Sequence, residues 1–255
     1  MACFDRKARV GYDSWKTDRG RLRISHTLKS IKRLWHKALG TQIIELDGVR
    51  VNTGRGKLPG LARNLIYKGT YEAPERQLVL EALSPGNRVL EIGTGIGFIS
   101  LLCARLVGER NVLSYEANPD LKAVIQSNYE LNGLRPHLEM KAVTIDGDPV
   151  DFYQNGNIIS SSLISRDLET KKIKVESDAI AEVVSRHDPD VIIMDVEGAE
   201  VELLPAADLR NVNTVIVEFH PHIVGRDRIN ALKATLRERG LHERKSIKKN
   251  SLFKR

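Results

Sequence analysis

Hydrophobic residues recur along this chain with two periods, one typical of buried strands and the other typical of helices. Short apolar runs predict strands at residues 88–93, 111–116, 138–143, 191–195 and 215–219. Apolar residues at helical spacing predict helices between them, at residues 98–107, 118–131, 178–186 and 227–239. Strands that alternate with helices indicate an α/β fold, in which a mostly parallel sheet carries helices on both faces.

The N-terminal part of the chain follows a different pattern. Residues 25–39 place leucine, isoleucine and tryptophan side chains on one side of a helix, with lysine and arginine between them. We expect this basic amphipathic helix to pack on the main domain; the alternative is a membrane surface or a partner protein. Residues 42–51, with Asp47-Gly48 at their centre, predict a β-hairpin. Residues 57–64 are predicted to form a loop.

Three further segments complete the prediction. Pro74 suits the first turn of a helix that precedes the first strand of the main domain. Residues 151–174 are polar, with short strand-like pieces, and read as an excursion at the edge of the sheet or over the site. The last 15 residues form at most a small terminal hairpin. We therefore divide the chain into a basic N-terminal extension, residues 1–66, and a main domain, residues 67–255.

Composition narrows the classes of protein to which the chain can belong. With 255 residues, of which 41% are hydrophobic, it can bury the core of one large domain. No apolar run approaches the roughly 20 residues that cross a membrane, and no secretory signal is visible. Two cysteines are too few for a disulfide framework. These observations predict a soluble, cytoplasmic protein without a transmembrane segment, and they carry no signal for its oligomeric state.

The net charge of +7 is concentrated at the two ends of the sequence. Residues 1–40 hold 11 basic and 3 acidic side chains, and residues 237–255 hold 8 and 2, whereas the segment between them is acidic. Basic ends of this kind either meet phosphates, an anionic surface or an acidic substrate, or are simply solvated.

A glycine-rich turn after the first strand of the main domain gives the strongest chemical signal. Gly93, Gly95 and Gly97 alternate there, and glycine lets backbone N–H groups approach a ligand because it has no Cβ. A dinucleotide site needs glycine or alanine where this chain has Phe98, and a P-loop needs a lysine that does not follow. Glu91, two residues before the first glycine, suits a cofactor with an ammonium group and ribose hydroxyls. The pattern resembles the first motif of Rossmann-like S-adenosylmethionine methyltransferases.

The other strands deliver further polar groups to the same edge, because ligands of open α/β sheets bind beyond the carboxyl ends of the strands. The second strand ends in Glu116, at a spacing from the glycines that suits hydrogen bonds to ribose hydroxyls. The third ends in Val143, which is suited to lie against an adenine. The fourth strand ends in Asp195, followed by Glu197 and Glu200, and the fifth in Glu218-Phe-His220.

Taken in order, these motifs resemble those of the FkbM-type methyltransferases over roughly residues 67–240. The matching pieces are Tyr71-Glu72, residues 89–98, Tyr115-Glu116-Ala-Asn-Pro119, Asn128, Leu131-Asn132, Asp195-Val-Glu-Gly-Ala-Glu200 and Glu218-Phe-His220. Two features depart from the family pattern: Thr94 replaces an alanine, and the part after Gly240 is short and very basic. The resemblance implies a Rossmann-like class I fold, S-adenosylmethionine as cofactor, and O-methylation of a sugar, glycan or secondary metabolite.

The resemblance and the strand ends together give a set of expected site residues. The expected cofactor-binding residues are Tyr71, Glu72, Glu91, Gly93, Thr94, Gly95, Gly97, Glu116, Ala117 and Val143. A hydroxyl acceptor needs a base, and we expect Asp195 or His220 in that role, with Glu197 orienting the acceptor. An oxygen-rich Mg²⁺ site is the alternative for this cluster, formed by Asp195, Glu197, Glu200, Glu218 and His220. Because carboxylates that open helices are common for dipole reasons alone, no metal is predicted.

Two other functions compete with O-methylation. An RNA methyltransferase is suggested by the basic ends and a pI near 9.4, but the chain lacks a basic, aromatic-rich platform and a base-handling motif after the fourth strand. A non-catalytic cofactor-binding or scaffold protein is disfavoured by the intact glycine turn, Glu116 and Asp195. The favoured partner is therefore a small-molecule or glycan acceptor, with nucleic acid as the less favoured one. Tyr71-Glu72 either closes over the cofactor or caps the following helix.

Overall fold

The computed structural model describes residues 26–54, 57–155 and 170–255, and their elements alternate as the pattern predicts. The helices are α1 (His26–Ala38), α2 (Gly60–Lys68), α3 (Ala73–Ala82), α4 (Phe98–Val107), α5 (Lys122–Asn132), α6 (Ile180–His187), α7 (Glu200–Ala206), α8 (Pro221–Val224) and α9 (Arg226–Glu238). The strands are β1 (Ile43–Leu46), β2 (Val49–Asn52), β3 (Val89–Ile92), β4 (Val112–Tyr115), β5 (His137–Glu139), β6 (Ala142–Thr144), β7 (Val150–Asn155), β8 (Thr170–Val175), β9 (Ser177–Ala179), β10 (Val191–Met194), β11 (Thr214–Glu218), β12 (His242–Ile247) and β13 (Asn250–Lys254).

A seven-stranded sheet in the order β5-β4-β3-β10-β11-β13-β12 organises the described residues. The first five strands of this order run parallel, and β13 pairs antiparallel with both of its neighbours. The chain moves outward from β3 through β4 to β5 and then returns to β10 on the other side of β3. This reversal places the carboxyl ends of β3 and β10 side by side, where α/β sheets bind their ligands. The predicted α/β fold is confirmed.

Apolar cores cover both faces of the sheet. On one face, α3, α4 and α5 pack through fully buried residues such as Leu78, Leu101 and Ile125. On the other face, α6, α7 and α9 pack through residues such as Ile180 and Leu236. Strands β3 and β10 are buried at all four positions, as expected for parallel strands that helices cover on both sides.

The predicted N-terminal hairpin is confirmed and packs on helices α4 and α5. Asp47 and Gly48 turn the chain with positive φ angles of 49° and 81°, as a two-residue hairpin loop requires. The side chain of Asn132 at the end of α5 accepts a hydrogen bond from Arg50 N at 2.9 Å and donates one to Arg50 O at 2.7 Å. The hairpin therefore shares a core with the main domain, and the division at residue 66 stays a prediction.

The predicted amphipathic helix is also confirmed, but its orientation differs from what amphipathicity predicts. Among the helix residues from Ser30 onward, Arg33 and His36 are partly buried, and the His36 ring stacks on Tyr67 at a centroid distance of 5.6 Å. The opposite, apolar side faces solvent, with Leu34 59% and Trp35 64% exposed. The helix thus packs on α2 through its polar side.

Residues 57–64, which were predicted as a loop, contain the first part of a helix, because α2 begins at Gly60. Ala62 and Ile66 are fully buried on one face of this helix, and Gly69 ends it in the left-handed conformation. The loop was predicted because a Pro-Gly pair such as Pro59-Gly60 is typical of turns. In the structure, Ala62 and Ile66 are buried four residues apart, which is the spacing of one helix face.

The predicted third strand is divided in the structure. Strand β5 ends at Glu139, and residues 142–144 leave the main sheet as β6 to pair in parallel with β9. Ala142 N donates to Glu176 O at 2.8 Å, a partner that no sequence pattern identifies. Because of this division, Val143 lies at the edge of the sheet, where it lines a cavity.

The last residues were predicted to form at most a small terminal hairpin, but in the structure this hairpin belongs to the main sheet. They form β12 and β13, and β13 inserts beside β11 with Leu252 opposite Ile216. Leu252 and Phe253 are buried, so this basic segment completes the core. The predicted excursion contains the antiparallel pair β7 and β8, while the strand-like Ile158-Ile159 and the residues Ser160–Ser162 lie outside the described residues.

Candidate active site

The glycine turn between β3 and α4 exists because two backbones meet there. Gly93 has a φ of 95°, and a Cβ at this position would lie 1.9 Å from the carbonyl oxygen of Asp195. Its N–H donates to Tyr115 O at 2.9 Å. Glycine is therefore required for the end of β10 to approach the end of β3.

The other two glycines serve separate purposes. Gly97 (φ 79°) precedes α4, and a Cβ there would lie 2.9 Å from the Tyr129 ring, so this glycine lets α5 pack against the turn. Gly95 (φ 59°) lines the cavity, and its N–H donates to Glu116 Oε2 at 2.7 Å. Gly93 and Gly95 reach the cavity, whereas Gly97 lies behind its wall.

Glu91 supports the turn from below. Its side chain is 1% exposed and accepts hydrogen bonds from the hydroxyls of Thr94 (3.1 Å) and Ser100. Burial raises its pKa. Glu91 does not line the cavity and lies beneath the turn, so its expected contact with the cofactor stays a prediction. Thr94, which departs from the family pattern, supplies one of the two hydroxyls.

Glu116 closes the turn at the end of β4. Its Oε2 accepts from Gly95 N and its Oε1 from Asn118 N, both at 2.7 Å. Burial raises the pKa of Glu116 to about 7, although these backbone hydrogen bonds act in the opposite direction. The carboxylate lines the cavity and is held rigidly there.

A cavity that is partly open to solvent lies over the carboxyl edge of the sheet. Its wall includes expected residues from every part of the predicted site, namely Tyr71, Glu72, Gly93, Thr94, Gly95, Glu116, Ala117, Val143, Asp195 and Glu197. It also includes residues that the sequence did not indicate, namely Glu75, Phe98, Leu121, Lys141 and Phe152. Phe98 follows the last glycine and was read only as a helix start. Phe152 comes from the excursion, where the sequence indicated it only as part of a short strand-like piece.

Tyr71 and Glu72 approach the cavity from the start of α3. Glu72 has a left-handed backbone (φ 44°) at the N-cap position, and its side chain makes no capping hydrogen bond. Tyr71 packs edge-on against Phe98 at a centroid distance of 5.9 Å. Desolvation, followed by repulsion from Glu218, raises the pKa of Glu72 to about 7. Of the two interpretations of this pair, the contacts favour a wall of the cofactor cavity over a cap.

The ends of β10 and β11 bring together an acidic cluster around one histidine. His220 Nε2 lies 3.6 Å from Asp195 Oδ1, 3.7 Å from Glu218 Oε1 and 3.9 Å from Glu197 Oε2. His220 is 2% exposed and lies behind the cavity wall, whereas Asp195 and Glu197 line the cavity. Desolvation and then the neighbouring carboxylates, first of all that of Glu218, raise the pKa of Asp195 well above its ordinary value.

Glu200 holds this histidine from the side opposite the cavity. It is fully buried, its Oε2 accepts from Gly198 N at 2.7 Å, and its Oε1 accepts from His220 N at 3.0 Å. The same Oε1 lies 3.5 Å from His220 Nδ1. Burial raises the pKa of Glu200, but the contacts with His220 outweigh it and the pKa is lowered overall.

A mostly parallel sheet with a reversed strand order and a glycine turn after a central strand is the arrangement of a Rossmann-like fold. The family model described as "Methyltransferase FkbM domain" matches residues 91–242, which is more than half of the chain. The chain therefore belongs to the FkbM methyltransferase family. This match confirms the predicted family, the methyltransferase class and S-adenosylmethionine as its methyl donor.

Other known methyltransferases are similar to shorter parts of the chain. The tRNA (adenine(58)-N(1))-methyltransferase TrmI of Thermus thermophilus is 33% identical over 94 residues, covering 32% of this chain and 37% of that protein. The ribosomal protein L11 methyltransferase of Geobacter sulfurreducens is 36% identical over 102 residues, covering 39% and 28%. The chain thus spans well under half the length of these two relatives.

Among solved structures, a methyltransferase from Pyrococcus furiosus is 14% identical with a TM-score of 0.45, over 89% of this chain and 97% of that chain. The TYW2 protein of M. jannaschii in complex with AdoMet is 15% identical with a TM-score of 0.40, over 84% and 85%. None of the described helices is long and apolar enough to span a bilayer.

Proposed function

We propose that this chain transfers the methyl group of S-adenosylmethionine to a hydroxyl oxygen of a sugar, glycan or secondary metabolite. The observation that carries the proposal is the position of the Asp195 carboxylate. It lines the same cavity as the glycine turn, and its backbone lies directly against Gly93. A cofactor on the turn and an acceptor at Asp195 would therefore be neighbours.

The cofactor half of the cavity offers a group for each part of the donor. The fixed Glu116 carboxylate suits the two ribose hydroxyls, as acidic residues after the second strand do in nucleotide sites. Ala117 and Val143 offer apolar surface for the adenine, and Phe152 adds an aromatic ring to it. Tyr71 and Glu72 lie at the other end, beside the turn, where the ammonium group of the donor would meet a carboxylate.

Asp195 is the base in this proposal. It would accept the proton of the acceptor hydroxyl while that oxygen attacks the methyl carbon and the C–S bond breaks, which leaves S-adenosylhomocysteine. Positioning of the in-line displacement supplies much of the rate, and a carboxylate within reach of the attacking oxygen takes its proton. His220 is then a positioning residue, because it is buried behind Asp195 and does not line the cavity.

RNA methylation is the second candidate. It is favoured by the basic turn of the β12–β13 hairpin, where Lys249 Nζ lies 3.7 Å from Glu218 Oε1 at the acceptor end of the site. The tRNA methyltransferase among the similar proteins points in the same direction. An RNA acceptor predicts a steep loss of binding with rising salt, whereas a neutral sugar or metabolite does not.

Binding of the methyl donor and turnover test the proposal separately. Titration calorimetry should show donor binding to the wild type and to Asp195→Asn, while Glu116→Gln weakens it by about 10- to 100-fold, as the loss of one or two charge-assisted hydrogen bonds implies. Radiolabelled donor incubated with cell-extract fractions, with and without nuclease or glycosidase, identifies the acceptor class. Asp195→Asn should lose methyl transfer, and Asp208→Asn, an exposed carboxylate paired with Arg210, should retain it. Normal turnover in both Asp195→Asn and His220→Ala would place the base elsewhere.

A further inference from the structure

Three side chains beside the acceptor end of the cavity, of which Asp195 lines it, have the types and spacing of metal ligands. One ligand atom from each of Asp195, Glu218 and His220 lies within 4.8 Å of the other two. His220 Nε2 is 3.6 Å from Asp195 Oδ1 and 3.7 Å from Glu218 Oε1. These separations are too long for hydrogen bonds and slightly wider than those of neighbouring ligands around a cation bound at about 2.0–2.5 Å.

The histidine supplies an independent observation. Its ring is almost completely buried, and its Nδ1 has no hydrogen-bond partner within the described part of the chain. Asp195 Oδ1 is likewise buried at the atom level without a hydrogen-bond partner among these residues. Buried polar atoms of native proteins are almost always satisfied, so the unpaired Asp195 Oδ1, which His220 Nε2 faces at 3.6 Å, indicates a group that belongs in the cluster.

The residues behind the cluster orient it as metal sites require. Glu200 Oε1 faces His220 Nδ1 at 3.5 Å, which fixes the ring and leaves Nε2 directed at Asp195 and Glu218. Metal-bound histidines commonly have such a carboxylate on their second nitrogen. Asn250 Nδ2 donates to Glu218 Oε2 at 2.9 Å, which leaves Oε1 directed at the cluster.

We propose that Asp195, Glu218 and His220 bind a divalent cation, Mg²⁺ or Mn²⁺, at the acceptor end of the cavity. The inference deepens the proposed function and rests on it for the cation's use. Such ions retain open positions for water or substrate oxygens, so the acceptor would carry two adjacent oxygens, as sugar diols and hydroxy-carbonyl compounds do. Asp195 would then give one oxygen to the cation and turn the other toward the acceptor.

Lys249 competes for the same position. Its Nζ lies 3.7 Å from Glu218 Oε1, and its side chain is half exposed, so it can move aside without a packing cost. If a cation belongs in the cluster, removal of this ammonium should tighten cation binding. If Lys249 is itself the only counter-charge of the cluster, its removal should create no cation site.

The test uses the full chain after treatment with a chelator, with Mn²⁺ as the probe. Electron paramagnetic resonance and calorimetry should detect one bound Mn²⁺, which Mg²⁺ displaces. Glu218→Gln and His220→Ala should weaken Mn²⁺ binding by at least about 10-fold, Lys249→Ala should tighten it, and the exposed control Glu202→Gln should leave it unchanged. Thermal unfolding and donor binding report whether each variant is folded. If His220→Ala does not fold, Glu218→Gln still tests the site, because the Glu218 side chain is partly exposed and its replacement leaves the core intact.

Absence of Mn²⁺ binding by the folded wild type, or equal binding by Glu218→Gln, overturns the cation site. The outcome is separable from that of the proposed function. Donor binding and methyl transfer that persist in excess chelator would retain the function and reject the cation. Mn²⁺ binding without donor binding would retain the cation site and reject the methyltransferase activity.

Discussion

Replacing Gly93 with alanine tests the close approach on which the site depends. The new Cβ would lie 1.9 Å from the Asp195 carbonyl oxygen, more than 1 Å closer than such contacts occur, so the ends of β3 and β10 must separate. A non-glycine residue at positive φ costs about 1–2 kcal/mol, and overpacking adds about 1–3 kcal/mol. We therefore expect a loss of about 3–4 kcal/mol in the free energy of unfolding and a fall of about 6–15 °C in Tm.

Gly86 provides the matched control for this substitution. It has a similar φ of 84° but nothing within 4 Å of the added Cβ, so Gly86→Ala carries only the backbone cost. Urea unfolding of the two variants isolates the contact between the strands. Methyl transfer by Gly93→Ala should fall by about 100-fold, because a displacement of about 1 Å at a reacting group has that effect. Equal stability of the two variants, within about 0.5 kcal/mol, would refute the reasoning.

Three further predictions concern the framework around the site. Arg255→Ala removes a guanidinium that donates to backbone carbonyls of four other residues, so urea unfolding should show a loss of about 1–3 kcal/mol, and no measurable loss would contradict the contacts. Asn132→Ala breaks the paired hydrogen bonds to Arg50 and should cost about 1–2 kcal/mol; a cost near zero would mean that the N-terminal hairpin does not depend on them. Trp35→Ser on the exposed side of α1 should change the unfolding free energy by less than about 0.5 kcal/mol, and a larger loss would show that this side is covered.

Local chemistry in the sequence determined the elements that form without distant partners. The glycine turn, the Asp47-Gly48 hairpin and helix α4 depend on backbone freedom and short-range periodicity, and each lies where these signals predict. The order of strands and helices also determined the fold class, because parallel strands joined by helices have few alternatives. The approach of Asp195, Glu218 and His220 followed from the same rule, since each ends a strand of one sheet.

Long-range pairing and burial decided the rest. Nothing local divides residues 138–143 into β5 and β6; the partner of β6 lies more than 30 residues away. Likewise, the basic C-terminal segment becomes a core strand only because β11 offers it an edge. Tertiary packing turned Glu91 under the glycine turn and placed His220 behind Asp195, although both are polar residues at strand ends. Sequence spacing specifies which strand end carries a group, but only the packed neighbours decide whether its side chain meets the cavity or the interior.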